Sequence, residues 1–365
     1  MRLGVDTGGT FTDFVLVDEN AAPDQRLRTH KVLSTPDAPE RAILQGLFEL
    51  GLADAVAAGT VLVVHGTTVA TNAALEGKGV RTAFITNRGF ADLLTIGRQT
   101  RRYLYRLYQA PVPPPVEPAL CLETGGRLDA QGQTLDPLTE EDLADLARQL
   151  NELQPSAVAI NLLFSFLDSR AEQHITSYLE EHLTKRPFIC YSAAVLPEYR
   201  EYERGIATWL NASLGPLMEQ YLLKLQKACS PSPLSVMQSS GGTISARQAS
   251  RGAVNLLLSG PAGGMAAIHW LARTSGEHSL ITFDMGGTST DVALYDDQLT
   301  LTSEGHIGPW PVSVPMIDMH TIGAGGGSIA WIDTGKLLQV GPASAGASPG
   351  PACYGLGGTA PTVTD

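Results

Sequence analysis

An eight-residue pattern occurs twice in this chain. Residues 6–13 read DTGGTFTD and residues 284–291 read DMGGTSTD, so both follow D-x-G-G-T-x-T-D. The flanks repeat as well: LGV precedes the first copy and LITF the second, while FVLVD follows the first and VALYD the second. β-Forming residues on both sides of a double glycine spell strand, turn, strand. A P-loop ends in GK[ST] and opens a helix, and a dinucleotide-binding turn also opens a helix. A hairpin excludes both.

The pattern has a chemical logic. Gly8, Gly9, Gly286 and Gly287 present backbone N–H groups with no Cβ in the way, so phosphate oxygens can approach closely. Thr10, Thr12, Thr288 and Thr290 offer hydroxyl donors, and Thr7 completes the first turn. Asp6 and Asp284 are placed to hold Mg²⁺ through waters, because Mg²⁺ keeps much of its hydration. Asp13 and Asp291 either orient water or a substrate oxygen, or cap the hairpin. A glycine turn used only for chain reversal is the competing reading. Two copies in one strand context argue against it.

Composition narrows the class. The chain has 365 residues, enough for two to three domains. A 43% hydrophobic content argues against disorder, and a net charge of −12 against a nucleic-acid scaffold. Cys121, Cys190, Cys229 and Cys353 stand alone, and the eight histidines show no HExxH spacing. Neither a zinc site nor a disulfide framework is expected. The first residues lack a signal-peptide core and no apolar run reaches a membrane span, so a cytoplasmic location is expected.

Along the chain, strands alternate with helices, which implies an α/β architecture. Strands are expected at 61–64, 81–86, 157–166 and 188–193. Helices are expected at 40–58, from residue 65 onward, at 89–96 and up to 183. Residues 97–137, with RQTRRYLYRLY and PVPPPVEP, read as an insertion or bridging loop. Thr139 suits a helix N-cap, with Leu143, Leu146 and Leu150 on one face. A long helix is expected from 197 to about 228, broken at Gly215-Pro216, with a boundary near Ser230.

Further candidates each carry two readings. Gly260, Gly263 and Gly264 lead into an apolar helix, as an anion site or for close packing. Gly325, Gly326 and Gly327 contact nucleotide or form a plain loop. His65, Thr67 and Thr68 face a substrate amide or start a capped helix. Asp318 and His320 share a strand face and bind a metal, or form a buried pair. Arg98, Arg101 and Arg102 meet an anionic group or form a solvated basic run. Cys353 is taken as structural.

The segments VDTGGTFTDFVLVD, HGTTVATNAALEGKG, TAFITNRGFADLLTIGRQTR, LLSGPAGGMAA, FDMGGTSTDVAL, TIGAGGGSIAW and GPASAGASPGPACYGLGGTAPTVTD span Leu3 to Asp365. Together they resemble the hydantoinase A / 5-oxoprolinase family, whose relatives include acetone carboxylase subunits. The resemblance implies an α/β, actin-like (RNase H-like) two-lobed ATPase fold with two phosphate-binding β-hairpins. It implies an N-terminal lobe at 1–196, a bridging helical segment at 197–230, and the first part of a second lobe at 231–365. Family chains continue past the PTVTD sequence, so a C-terminally truncated second lobe is expected.

The implied activity is ATP-dependent ring opening of a cyclic amide: a hydantoin, N-methylhydantoin or a 5-oxoproline-like lactam. Phosphoryl transfer to the lactam oxygen would activate it. ATP and Mg²⁺ are the implied cofactors, clamped between the turns at Asp6–Asp13 and Asp284–Asp291. A hydantoinase B-like subunit or a missing C-terminal half is the implied partner, in an oligomer. The alternatives are an actin-like small-molecule kinase and a non-catalytic nucleotide-binding fragment.

Overall fold

Apolar side chains alternating across a double glycine give the expected hairpin. Strands β1 (Arg2–Thr7) and β2 (Phe11–Val17) pair antiparallel and bury Leu3, Val5, Phe14 and Leu16. The computed structural model describes residues 1–9, 11–35, 37–100, 104–108, 113–287, 289–346 and 349–365. Thr10, Arg101, Arg102 and Thr288, named above, lie outside them. Strand β3 (Leu27–Leu33) continues the meander. Helix α1 (Pro39–Glu49) then packs on the sheet, where Gly46 leaves room for the Phe14 ring.

Strand β4 (Leu62–Thr67) returns parallel to β1, and helix α2 (Val69–Leu75) follows it. His65, Gly66 and Thr67 therefore end a strand, where the sequence suggested a helix start. Strands β5 (Thr82–Asn87), β6 (Cys121–Thr124), β7 (Ala157–Ile160) and β8 (Phe188–Tyr191) form an all-parallel sheet in the order β8-β7-β5-β6. Every residue of β7 is buried, as expected for a parallel strand covered on both faces. The expected strand at 157–166 ends at Ile160 and gives way to a turn, and the helix near 89–96 is only Leu93–Ile96. The 97–137 region is more than a loop, since β6 lies within it.

Helix α3 (Glu140–Leu153) begins with a capping box: Asp142 N donates to Thr139 Oγ1, and the Asp142 carboxylate accepts from Thr139 N. Leu143, Leu146 and Leu150 are buried as the spacing requires. Helix α4 (Arg170–His182) packs beside it.

Helix α5 (Glu201–Cys229) lies against both sheets and runs unbroken through Gly215-Pro216. The expected break does not occur. Gly215 is there for packing, because a Cβ would collide with the Phe188 ring. Burial along the helix offsets the single donor lost at Pro216.

Strands β9 (Leu234–Met237) and β10 (Thr243–Ser245) complete the first sheet in the order β10-β9-β4-β1-β2-β3. An antiparallel meander beside parallel strands is the RNase H-like arrangement of an actin-like lobe. Helix α6 (Ser259–Ser275) leads to the second copy of the repeat. Strands β11 (Ser279–Met285) and β12 (Thr290–Asp296) form its hairpin, and β13 (His320–Ile322) adds a third antiparallel strand.

The main core joins both large sheets with α5, whereas a small cluster of Ala262, Met265, Ala293 and Ile317 lies under the second hairpin. The other face of that hairpin leaves Ile281 and Phe283 74% and 66% exposed. Among the described residues, β11 pairs only with β12. No described helix is long and apolar enough to cross a membrane.

Candidate functional site

The two turns close in the same way. Gly8 N donates to Phe11 O at 3.0 Å, and Gly286 N donates to Ser289 O at 2.9 Å. The registers match as well, with Asp6 opposite Asp13 and Asp284 opposite Asp291. Like charges directly across a ladder are destabilising, so a repeat that keeps them twice points to function rather than stability. In each lobe the third strand supplies a partner for the second aspartate. Lys31 Nζ lies 2.8 Å from Asp13 Oδ1, and Thr321 Oγ1 donates to Asp291 Oδ1 at 2.6 Å.

Asp6 is exposed as a residue, yet protein backbone stands close to one of its carboxylate oxygens. A Cβ on Gly66 would stand 3.2 Å from Asp6 Oδ1, and one on Gly260 would stand 3.4 Å away. Desolvation comes first, then the fields of Asp13 and Asp284; together they raise the Asp6 pKa above the ordinary carboxylate value. The first turn therefore feels the second across the fold. Among the described residues, no three His, Cys, Asp or Glu side chains converge into an all-protein metal cage. A pair of carboxylates with hard oxygen donors suits Mg²⁺ completed by waters and phosphate oxygens. Asp318 and His320 are both exposed, so they do not form a buried pair.

The second threonine of each repeat faces inward. Thr12 Oγ1 and Ser34 Oγ are 3.0 Å apart, and Ser34 Oγ donates to Gly8 O at 2.8 Å. Thr290 Oγ1 donates to Ala324 O at 2.6 Å. Both threonines are buried and brace their turns.

The glycine loop at 323–328 is a brace too. Gly326 N donates to Gly286 O at 2.9 Å, Gly327 N to Gly287 O at 2.6 Å, and Gly325 N to Ser328 Oγ at 2.9 Å. All three N–H groups are engaged within the protein. A Cβ on Gly325 would lie 2.5 Å from Gly286 O, so the contact requires glycine there. Thr364 N and Oγ1 in turn donate to Gly326 O, at 2.9 and 2.8 Å.

Helix α6 begins beside the first turn. Ser259 Oγ donates to Thr67 O at 3.0 Å, and Leu258 N donates to Thr71 Oγ1 at 2.9 Å. Gly260 permits the close approach to Asp6, Gly263 packs near Met237, and Gly264 faces open space.

His65 departs from the sequence expectation of a substrate contact. It is fully buried; Nδ1 donates to Val5 O at 3.3 Å, and Nε2 accepts from the Tyr221 hydroxyl at 2.7 Å. Burial lowers its pKa to about 4, so it is a neutral strut rather than a proton carrier. Thr67 is buried as well and accepts from Val69 N at 3.1 Å. Thr68 donates to Thr7 O at 3.1 Å and reaches a cavity beside the turn. Arg98 pairs with Glu203, with Nη2 2.5 Å from Oε2. Cys353 N donates to Asp365 Oδ1 at 2.7 Å. Sequence reasoning missed Tyr221, Ser34 and Lys31. Their partners are fixed by strand order and helix packing, which no local motif records.

Two family models cover nearly the whole chain: a hydantoinase/oxoprolinase N-terminal region matches residues 2–183, and hydantoinase/oxoprolinase matches residues 204–365. Caprolactamase subunit alpha of Pseudomonas jessenii is 37% identical across all of this chain, which covers 53% of that protein. The solved ATP-dependent caprolactamase from Pseudomonas jessenii superposes with a TM-score of 0.83 at 35% identity, over 100% of this chain and 54% of that one. A nucleotide-free acetone carboxylase, studied for ATP-dependent acetone carboxylation, gives a TM-score of 0.82 at 28% identity, over 99% of this chain and 53% of that one. The chain thus spans about half the length of these relatives.

Proposed function

The chain belongs to the hydantoinase/oxoprolinase family, and from that premise we propose that it forms the ATP-binding part of an enzyme that hydrolyses a cyclic amide. The observation carrying this reading is the pair of matched hairpins, with Asp6 inside the field of Asp284. The likeness to an ATP-dependent caprolactamase supports the substrate class.

In this reading the turn tips at Gly9 and Gly287 face the phosphates, since Gly8 and Gly286 use their N–H groups to close the turns. Asp6 and Asp284 organise Mg²⁺, which when bound offsets phosphate charge. Lys31 holds Asp13 and Thr321 holds Asp291, which keeps both second aspartates at fixed positions. Catalysis here is mostly positioning and charge stabilisation.

An unstrained amide carbonyl is a poor electrophile. Its oxygen takes the γ-phosphoryl group, and ADP leaves. Water adds to the ring carbon, the C–N bond breaks, and the nitrogen departs as an amine that takes up a proton. A second water releases phosphate from the resulting acyl phosphate. The balance is one cyclic amide, one ATP and two waters to one ring-opened acid, ADP and phosphate. The relative named subunit alpha supports a second subunit as partner.

The test is ADP release with hydantoin, N-methylhydantoin, 5-oxoproline and simple lactams, with and without a candidate second subunit. Stimulation by a cyclic amide, with free phosphate and ring-opened product, is expected. A stable phosphorylated product would instead make the protein a kinase. No stimulation by any cyclic amide in either setting would overturn the proposal.

A further inference from the structure

A cavity of about 230 Å³ lies within the first lobe, against the first phosphate turn. Its walls come from the turn at Thr7–Gly9, the start of α1, helix α2 and helix α5. A space of this size admits a small ring. Thr7 Oγ1 lies on its wall, 97% buried, and has no partner in good hydrogen-bond geometry. The Tyr221 oxygen is its neighbour and, while its proton goes to His65, keeps lone pairs that can accept from Thr7.

The remaining lining fits an amide. Asn72 and Gln220 bring primary carboxamides to the cavity, and Val69, Ala73 and Leu217 bring apolar surface. A small lactam presents its N–H and C=O on one edge because its amide is held cis. A carboxamide matches that edge with two parallel hydrogen bonds, while ring methylenes face the apolar wall. Charge then selects among cyclic amides. Lys224 Nζ is 3.6 Å from Glu40 Oε1, and Lys78 Nζ is 2.5 Å from Glu76 Oε2. Asp37 adds a third carboxylate to the same walls. Among the described lining residues, every ammonium already faces a carboxylate, so none is left for a carboxylate on the ligand.

We propose that this cavity is the cyclic-amide site and that it takes an uncharged ring, a lactam or hydantoin, in preference to the anionic 5-oxoproline. The inference rests on the proposed ring-opening function, and it assigns that function a pocket and a charge preference.

The experiment titrates the purified protein with δ-valerolactam and with 5-oxo-L-proline by calorimetry, and separately with Mg²⁺·ADP. The expected result is at least tenfold tighter binding of δ-valerolactam. Gln220→Ala should weaken δ-valerolactam about tenfold with ADP affinity unchanged. Glu40→Gln, which releases Lys224, should improve 5-oxoproline binding several-fold and does not depend on the first variant folding well. Equal or tighter binding of 5-oxoproline by the unaltered protein would overturn the charge preference. If ADP binds and neither ring does, the pocket assignment fails while nucleotide binding stands. If δ-valerolactam binds as described but never stimulates ADP release, the pocket stands and the ring-opening function fails.

Discussion

The Tyr221 hydroxyl donates a 2.7 Å hydrogen bond to Nε2 of His65, joining residues 156 positions apart inside the first lobe. Because His65 Nδ1 is committed to Val5 O, the Nε2 lone pair must accept. The pair ties helix α5 to the strands that carry Thr7 and Thr67. Tyr221→Phe leaves that acceptor buried and alone, which costs about 1–3 kcal/mol. Denaturant unfolding should show the loss. An unchanged midpoint would mean that the bond contributes nothing.

His65 also sets a pH dependence. Its folded pKa is about 4 against 6.5 in the unfolded chain. Between those values the unfolded state binds more protons, so stability rises with pH across the window and falls as pH drops from about 6.5 to 4. The difference corresponds to about 3 kcal/mol at about 1.4 kcal/mol per pH unit. A His65→Gln variant should show a shallower slope over this window when its stability is compared with that of the parent. Parallel slopes would exclude His65 as the source.

Asp6→Asn and Asp284→Asn should separate activity from stability. Each removes a carboxylate that the proposed function assigns to Mg²⁺·ATP, and turnover should fall on the order of 10²-fold. Asp6→Asn also relieves repulsion from Asp13 and Asp284. Its thermal midpoint should therefore stay level or rise, by about 0.5–1 kcal/mol in free energy. Full turnover in both variants would remove the aspartates from the nucleotide site.

Gly325→Ala tests the brace on the second turn. The new methyl would stand 2.5 Å from Gly286 O. Overpacking of this kind costs about 1–3 kcal/mol. The second turn must shift, so Mg²⁺·ADP affinity should weaken while the first lobe keeps its stability. Gly264→Ala, facing open space, is the control and should behave like the parent.

Much of this arrangement was legible because it is local. The two hairpins follow from glycine pairs flanked by β-formers, and Thr139 announced the start of α3. What stayed hidden depends on distant partners. Gly215-Pro216 reads as a helix break until the Phe188 ring is seen to need the space at Gly215. His65-Gly66-Thr67 reads as a helix start because the parallel pairing of β4 with β1 is invisible in sequence. The inward aim of Thr12 depends on Ser34, supplied at the end of the meander.

The Thr364–Gly326–Gly286 contacts are a mechanical linkage. One end grips the 361–365 segment; the other holds the turn that follows Asp284. The position of the second turn is thus held from outside its own hairpin, by a contact that the repeated pattern does not encode.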